Sequence, residues 1–161
     1  MEKKVPVKRV KDLLRECGVP RNIIRAPDRT YVLPTREYLL RRFSRSLRAH
    51  LVRYGVLDYR SGINDCDDFA RYACAHAAMV HRRNDLKKRK GKNLPAIAVA
   101  EIWYTDEVVG KHATFVALIG KKEVLRLDRV RKKWSGRMVT RIQELPISKK
   151  ELQTVFYCRL G

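Results

Sequence analysis

The chain has 161 residues, 45% of them hydrophobic, which suits one modest core and leaves no room for a second enzyme domain. Its 37 lysines and arginines against 17 aspartates and glutamates leave a formal charge of +20, more than solubility needs, so an acidic partner is expected: nucleic acid first, with other polyanions subject to the same field. No apolar run approaches the roughly 20 residues of a membrane span, no signal peptide opens the chain, and four irregularly spaced cysteines do not make the disulfide frame of a small secreted domain.

The expected location is therefore cytoplasmic or inside a virion. Cys17 and Cys158, near opposite ends, are candidates for a bridge. Scarce glutamine (Gln143, Gln153) beside 34% charged residues leans toward a hot-growing source.

Val10, Leu13, Leu14 and Cys17 fall at helical spacing, and Gly18 with Pro20 supplies a stop, so a short first helix is predicted. Residues 19–34 hold three prolines and little periodicity and read as a connecting arm on the surface. This divides the chain into an N-terminal helix and arm over 1–34 and an α+β domain over 35–161.

A second helix opens at Thr35 after Pro34, with Leu39, Phe43, Leu47 and Leu51 on one face and Arg41, Arg45 and Arg48 on another. That basic stripe is read either as a solvated face or as a phosphate-contacting one. Asp65 can cap a third helix running from Cys66 to about Asn84, where Ala70, Ala73 and Ala77 permit close approach to a sheet. The run Arg82–Lys92 reads as a solvated basic loop, in which Lys87, Lys88, Arg89 and Lys90 are further candidates for nucleic-acid contact.

From Pro95 the period changes to that of strands: 96–104, 113–119 and 123–128, with Gly120-Lys121 as a tight hairpin turn and 105–111 as a longer loop. Two more strands are placed at 138–142 and 154–159, separated by a short helix whose start, Ser148-Lys149-Lys150-Glu151, is a capping box. Helices first and an antiparallel sheet afterwards make the class α+β.

Cysteine attacks as the thiolate, and a helix N-terminus lowers its pKa through unpaired N–H groups and the positive dipole end, which is the position predicted for Cys66. Asp65, Asp67 and Asp68 oppose that effect, so a base is required. Of the four histidines, His50, His76 and His81 lie on predicted helices, whereas His112 opens a strand. Asp128 ends the next strand across the hairpin, where pairing can set its carboxylate beside the imidazole. The spacing of Cys66, Cys74, His76 and His81 fits no known zinc finger, and no phosphate-cradling glycine loop is present.

Asn64-Asp65-Cys66-Asp67-Asp68-Phe69-Ala70 resembles the nucleophile segment of papain-like and transglutaminase-like cysteine peptidases. The fit is best with phage-encoded domains similar to the cysteine-peptidase domain of a mushroom agglutinin, which place this helix start before a strand opening Gly-His-Ala; here that strand opens Gly110-Lys111-His112-Ala113. The resemblance spans roughly Asp28 to Val130, with Tyr31-Val32-Leu33-Pro34 as the lead-in. It implies a helix carrying the cysteine packed on an antiparallel sheet, with Cys66 as nucleophile, His112 as base, Asp128 as orienter and the Cys66 N–H as an oxyanion donor.

Two departures stand out: Lys111 where the family has glycine, and no Glu-Pro-Gln-like continuation after Asp128. The resemblance also implies a possible calcium ion, for which Asp67, Asp68 and Asp128 are oxygen donors of the right kind. The expected function is a cysteine hydrolase, peptidase or amidase, of viral or mobile-element type, acting on a protein or peptide substrate. The alternative is a basic nucleic-acid-associated or virion structural protein that keeps the fold without the chemistry.

Overall fold

The structure, a computed structural model, describes residues 4–58, 65–88, 95–108, 110–120 and 123–161, without the side chains of 84–88 and 134. In chain order the elements are β1 (Lys4–Pro6), α1 (Val7–Cys17), β2 (Ile24–Arg25), β3 (Thr30–Val32), a π-helical turn (Tyr38–Phe43) running into α2 (Ser44–Arg53), α3 (Cys66–Lys88), β4 (Ala96–Ile97), β5 (Val99–Asp106), β6 (Gly110–Ile119), β7 (Glu123–Trp134), β8 (Arg137–Leu145), α4 (Lys149–Gln153) and β9 (Tyr157–Leu160). The class is α+β. Among the described residues, no helix is long and apolar enough to cross a membrane.

A six-stranded sheet in the order β2-β9-β5-β6-β7-β8 forms the centre, antiparallel except for the β2–β9 pair. A second sheet, β1-β3-β4, pairs β3 with β4 in parallel. The alternation of strand side chains sends Ala100, Ile102, Tyr104, Val116 and Leu118 into one apolar cluster with α1 and β9, and Val99, Phe115, Ala117, Leu125 and Leu127 into another with α2 and α3. The central sheet thus has a core on each face.

Helix α1 buries the four residues whose spacing predicts it, and Gly18 at φ 117° closes it, its N–H reaching the Arg15 carbonyl at 2.9 Å while Val19 N–H reaches Leu14 at 3.0 Å. The Ser148 capping box forms as read, with Glu151 N–H on the Ser148 hydroxyl at 3.1 Å. Leu39, Phe43, Leu47 and Leu51 are all buried. A strict four-residue spacing drifts about 40° per step on a 3.6-residue helix. The wider π turn at the start lags by comparison and keeps the row facing the sheet. Truncating Phe43 to alanine here would cost about 3–5 kcal/mol.

Several expectations are corrected. Residues 19–34 are no surface arm: Val19, Ile24, Tyr31, Val32 and Leu33 are buried, because the short β2 and β3 add to both sheets. The region expected as a basic loop from Arg82 remains helical to Lys88, since nothing before Gly91 breaks a helix. The strand expected over 96–104 is interrupted at Ala98, β5 continues to Asp106, and β6 already begins at Gly110. The strand expected over 123–128 runs on to Trp134, turning through Ser135 (φ 47°) and Gly136 (φ 78°), the pair of positive angles that a two-residue hairpin requires. Cys17 and Cys158 are both buried, and no disulfide joins them.

Candidate active site

Cys66 is the first residue of α3, where the earliest N–H groups lack partners within the helix; the Asp65 carbonyl accepts from Phe69 N–H at 3.2 Å. The thiol is held below its ordinary pKa, chiefly by its hydrogen bond with His112. Burial pushes the other way, the Ala113 backbone N–H and the imidazolium charge assist, and Asp65 opposes. The acidic neighbours seen in the sequence therefore do not decide the outcome. The residue is half-buried, so the sulfur is not walled off.

His112 lies on β6 directly opposite Tyr104 of β5. Its Nε2 is 3.2 Å from Asp128 Oδ2, which leaves Nδ1 for the sulfur. Burial disfavours the imidazolium, but the hydrogen bonds and charges of Asp128 and Cys66 outweigh it and raise the pKa to about 9. A thiol pushed down and an imidazole pushed up favour the ion pair over the neutral pair.

Asp128 is buried, which alone would raise its carboxyl. It is instead held low by the His112 hydrogen bond, the Arg126 charge and the Arg129 N–H, which donates to Oδ1 at 2.8 Å. The Thr114 hydroxyl, 3.3 Å from Oδ2, donates as well.

Sequence reasoning missed Arg126. Its Nη2 is 3.1 Å from Asp128 Oδ2 and 3.2 Å from His112 Nε2, and its guanidinium carbon is 5.7 Å from the Tyr104 ring centre. Tyr104 also meets the His112 ring edge-on, at 5.7 Å and 83°. Burial pushes the Tyr104 hydroxyl up to about 12, so it stays protonated, and Arg126 is itself buried. Asp128 is thus shared between two cations. One of them, Arg126, stands where it repels a protonated Nε2–H, an opposition to the His112–Asp128 bond that weighs against the imidazolium. The two-residue spacing of Arg126 and Asp128 on a strand was a signal that they share a face.

Arg129, the next missed residue, reaches across from β7 to the start of α3. Nη2 donates to the Asp65 carbonyl at 2.7 Å, Nη1 to Leu57 at 3.4 Å, and the guanidinium covers the Phe69 ring at 5.0 Å. Burial lowers its pKa, with Asp128 and Cys66 among the charges that resist. One strand therefore orients the histidine through Asp128 and anchors the cysteine's helix through Arg129.

Asp67 and Asp68 do come together, but with Asp65 rather than Asp128, whose oxygens are taken as described. The three carboxylates fit a calcium ion in kind. Arg71 already supplies counter-charge, 2.9 Å from Asp67 and 3.9 Å from Asp68, while its Nε lies 3.5 Å from the buried Glu101. Asp67 is nonetheless raised, by its hydrogen bond with Asp65 and by burial. His76 and His81 serve the scaffold: their Nε2 atoms lie 2.9 Å from the Ser46 hydroxyl and the Pro95 carbonyl.

Arg41, Arg45 and Arg48 line one wall of a groove whose other wall is β8. Lys87 and Lys88 close α3, with side chains outside the description, and Arg89 and Lys90 lie outside the described residues.

No family model matches the chain, and no curated protein matches it in sequence. Among solved structures it is similar to PSL1a in a complex with E64, with a TM-score of 0.63 and 17% identity over 98% of this chain and 51% of that one. That likeness is one of fold, and this chain spans about half the length of its neighbour.

Proposed function

We propose that this chain is a cysteine hydrolase, a peptidase or amidase, in which Cys66 attacks, His112 carries the proton and Asp128 orients the imidazole. The observation that carries the reading is the continuous hydrogen-bonded line from the Cys66 thiol through His112 to Asp128, at a helix start, with the thiol lowered and the imidazole raised to about 9. The motif's resemblance to papain-like and transglutaminase-like enzymes adds support, as does a structural neighbour held in complex with E64.

In this mechanism the Cys66 thiolate adds to a substrate carbonyl carbon, and the oxygen takes the negative charge beside the Cys66 backbone N–H. The C–N bond then breaks as His112 passes its proton to the leaving nitrogen, leaving a thioester. Water, deprotonated by His112, attacks the thioester carbon. The carboxylic acid departs and the thiolate–imidazolium pair returns. Asp128 keeps the ring in the tautomer and orientation that both transfers need.

The test is the rate of iodoacetamide alkylation at Cys66 from pH 5 to 9, followed by peptide mass spectrometry, in the native chain and in His112→Ala. The other three cysteines serve as references. Selective labelling of Cys66 near pH 6, at least tenfold faster than in His112→Ala, is expected. Labelling at the rate of an ordinary thiol would remove the catalytic reading and leave the viral or nucleic-acid-associated structural protein in its place.

A further inference from the structure

The helix over 36–53 and the edge strand β8 enclose an open groove of about 670 Å³ lined by Leu40, Arg41, Ser44, Arg45, Arg48, Val139, Arg141 and Ile142. Four of these eight are arginines and none is acidic. A second depression, about 430 Å³, shares Arg41 and continues to Arg42 and Tyr38, with Glu37 at its side. The four arginines are all exposed, with Arg41 paired to Glu37 at 3.3 Å.

The two walls are fixed relative to each other. Arg48 Nε donates to the Thr140 carbonyl at 3.3 Å, while Leu39, Phe43, Leu47 and Leu51 hold the helix to the sheet. From Arg41 to Arg48 the helix rises about 10 Å, so the row of guanidiniums is preformed over the reach of several phosphates. On β8 the register sets Lys132 of β7 beside Val139, and Arg137 lies further along, so basic side chains continue toward the hairpin tip.

From this geometry we infer that the groove between the 36–53 helix and β8 binds the phosphate backbone of single-stranded nucleic acid, a site distinct from the proposed cysteine chemistry. Guanidiniums meet phosphate oxygens in a fork that lysine cannot offer, and arginine dominates this lining. A concave channel with apolar Leu40, Val139 and Ile142 on its walls and a tyrosine ring at one end admits one strand with its bases turned in. A duplex carries its phosphates on a convex surface and would rest on the rims.

A chain of charge +20 attracts any polyanion, so the test must locate the binding. It uses fluorescence anisotropy of a labelled 12-nucleotide oligouridylate between 50 and 200 mM salt. The native chain is compared with Arg45→Gln/Arg141→Gln in the groove and with Lys8→Gln/Arg21→Gln, which removes equal charge from the region of α1 on the opposite side of the sheet.

The groove variant is expected to bind at least tenfold more weakly and the α1 variant within about twofold. Four neutralised phosphates give a slope of log K against log salt of about −3 natively, falling to about −1.4 in the groove variant. Arg41→Glu, whose ion-pair partner Glu37 lies on the same helix, supplies a second reading should the double variant misfold, and again a tenfold loss is expected. Equal losses in the groove and α1 variants would overturn the proposal by making the attraction diffuse. A duplex of the same length, or vesicles containing phosphatidylserine, bound as tightly and with the same dependence on the groove, would overturn it as well.

Discussion

Arginine does opposite jobs in two regions of this molecule. Arg126 is buried beside the His112–Asp128 pair and Arg129 is half-buried against the start of α3, each guanidinium held by named oxygens and an aromatic ring. Arg41, Arg45 and Arg48 are exposed along a groove, with Arg48 tied to the Thr140 carbonyl and Arg41 to Glu37. A buried guanidinium has lost its hydration and needs its partners, so it defines geometry; an exposed one keeps its hydration and projects a field. The same residue type in a strongly basic chain therefore cannot be read as one property.

The contrast is broken most sharply at Asp128. Asp128→Asn leaves Arg126 buried without its carboxylate, and a loss of about 3–5 kcal/mol is expected in urea denaturation, together with slowed labelling of Cys66. His112 comes next, through pH. Its folded pKa of about 9 lies above the ordinary 6.5, so the stability it contributes is fully present below pH 6.5 and disappears as pH rises through 9. His112→Ala should accordingly be clearly less stable than the native chain at pH 6, with the gap closing by pH 9.5; a constant gap would refute the ion pair.

Arg126→Met sharpens the comparison from within. It removes the cation that competes for Asp128, so the His112 titration, followed by NMR, should move above its native midpoint while stability falls by about 2 kcal/mol through lost charged hydrogen bonds. Arg129→Met should cost about 1–2 kcal/mol and slow Cys66 alkylation with little movement of the His112 midpoint, because it frees the helix start rather than the imidazole. At the bottom of the scale, Arg45→Gln should change stability by less than about 0.5 kcal/mol while still weakening oligonucleotide binding.

What the sequence disclosed follows the range over which each signal acts. Leu39, Phe43, Leu47 and Leu51, the Gly18 stop and the Ser148 box depend on neighbours within a turn or two, and each gave its helix. Cys66 at a helix start and His112 on a strand were legible for the same reason. The roles of Thr114, Tyr104 and Arg126 were not, because they come from a register that sets Tyr104 opposite His112 and brings Thr114 against Asp128. Ser135-Gly136 was an available turn signal for the longer hairpin, whereas β2 and β3, two and three residues long, have too little length to display a period.

The cysteines carry a practical consequence. Burial raises the Cys158 thiol to about 12 and raises the Cys74 thiol as well, and Cys17 is buried at the end of α1. Cys66, partly exposed and with its thiol lowered, is then the sulfur an electrophile should find first in the folded state. The moles of reagent consumed at mildly acidic pH would count competent molecules in any preparation, one per chain, before a single substrate is known.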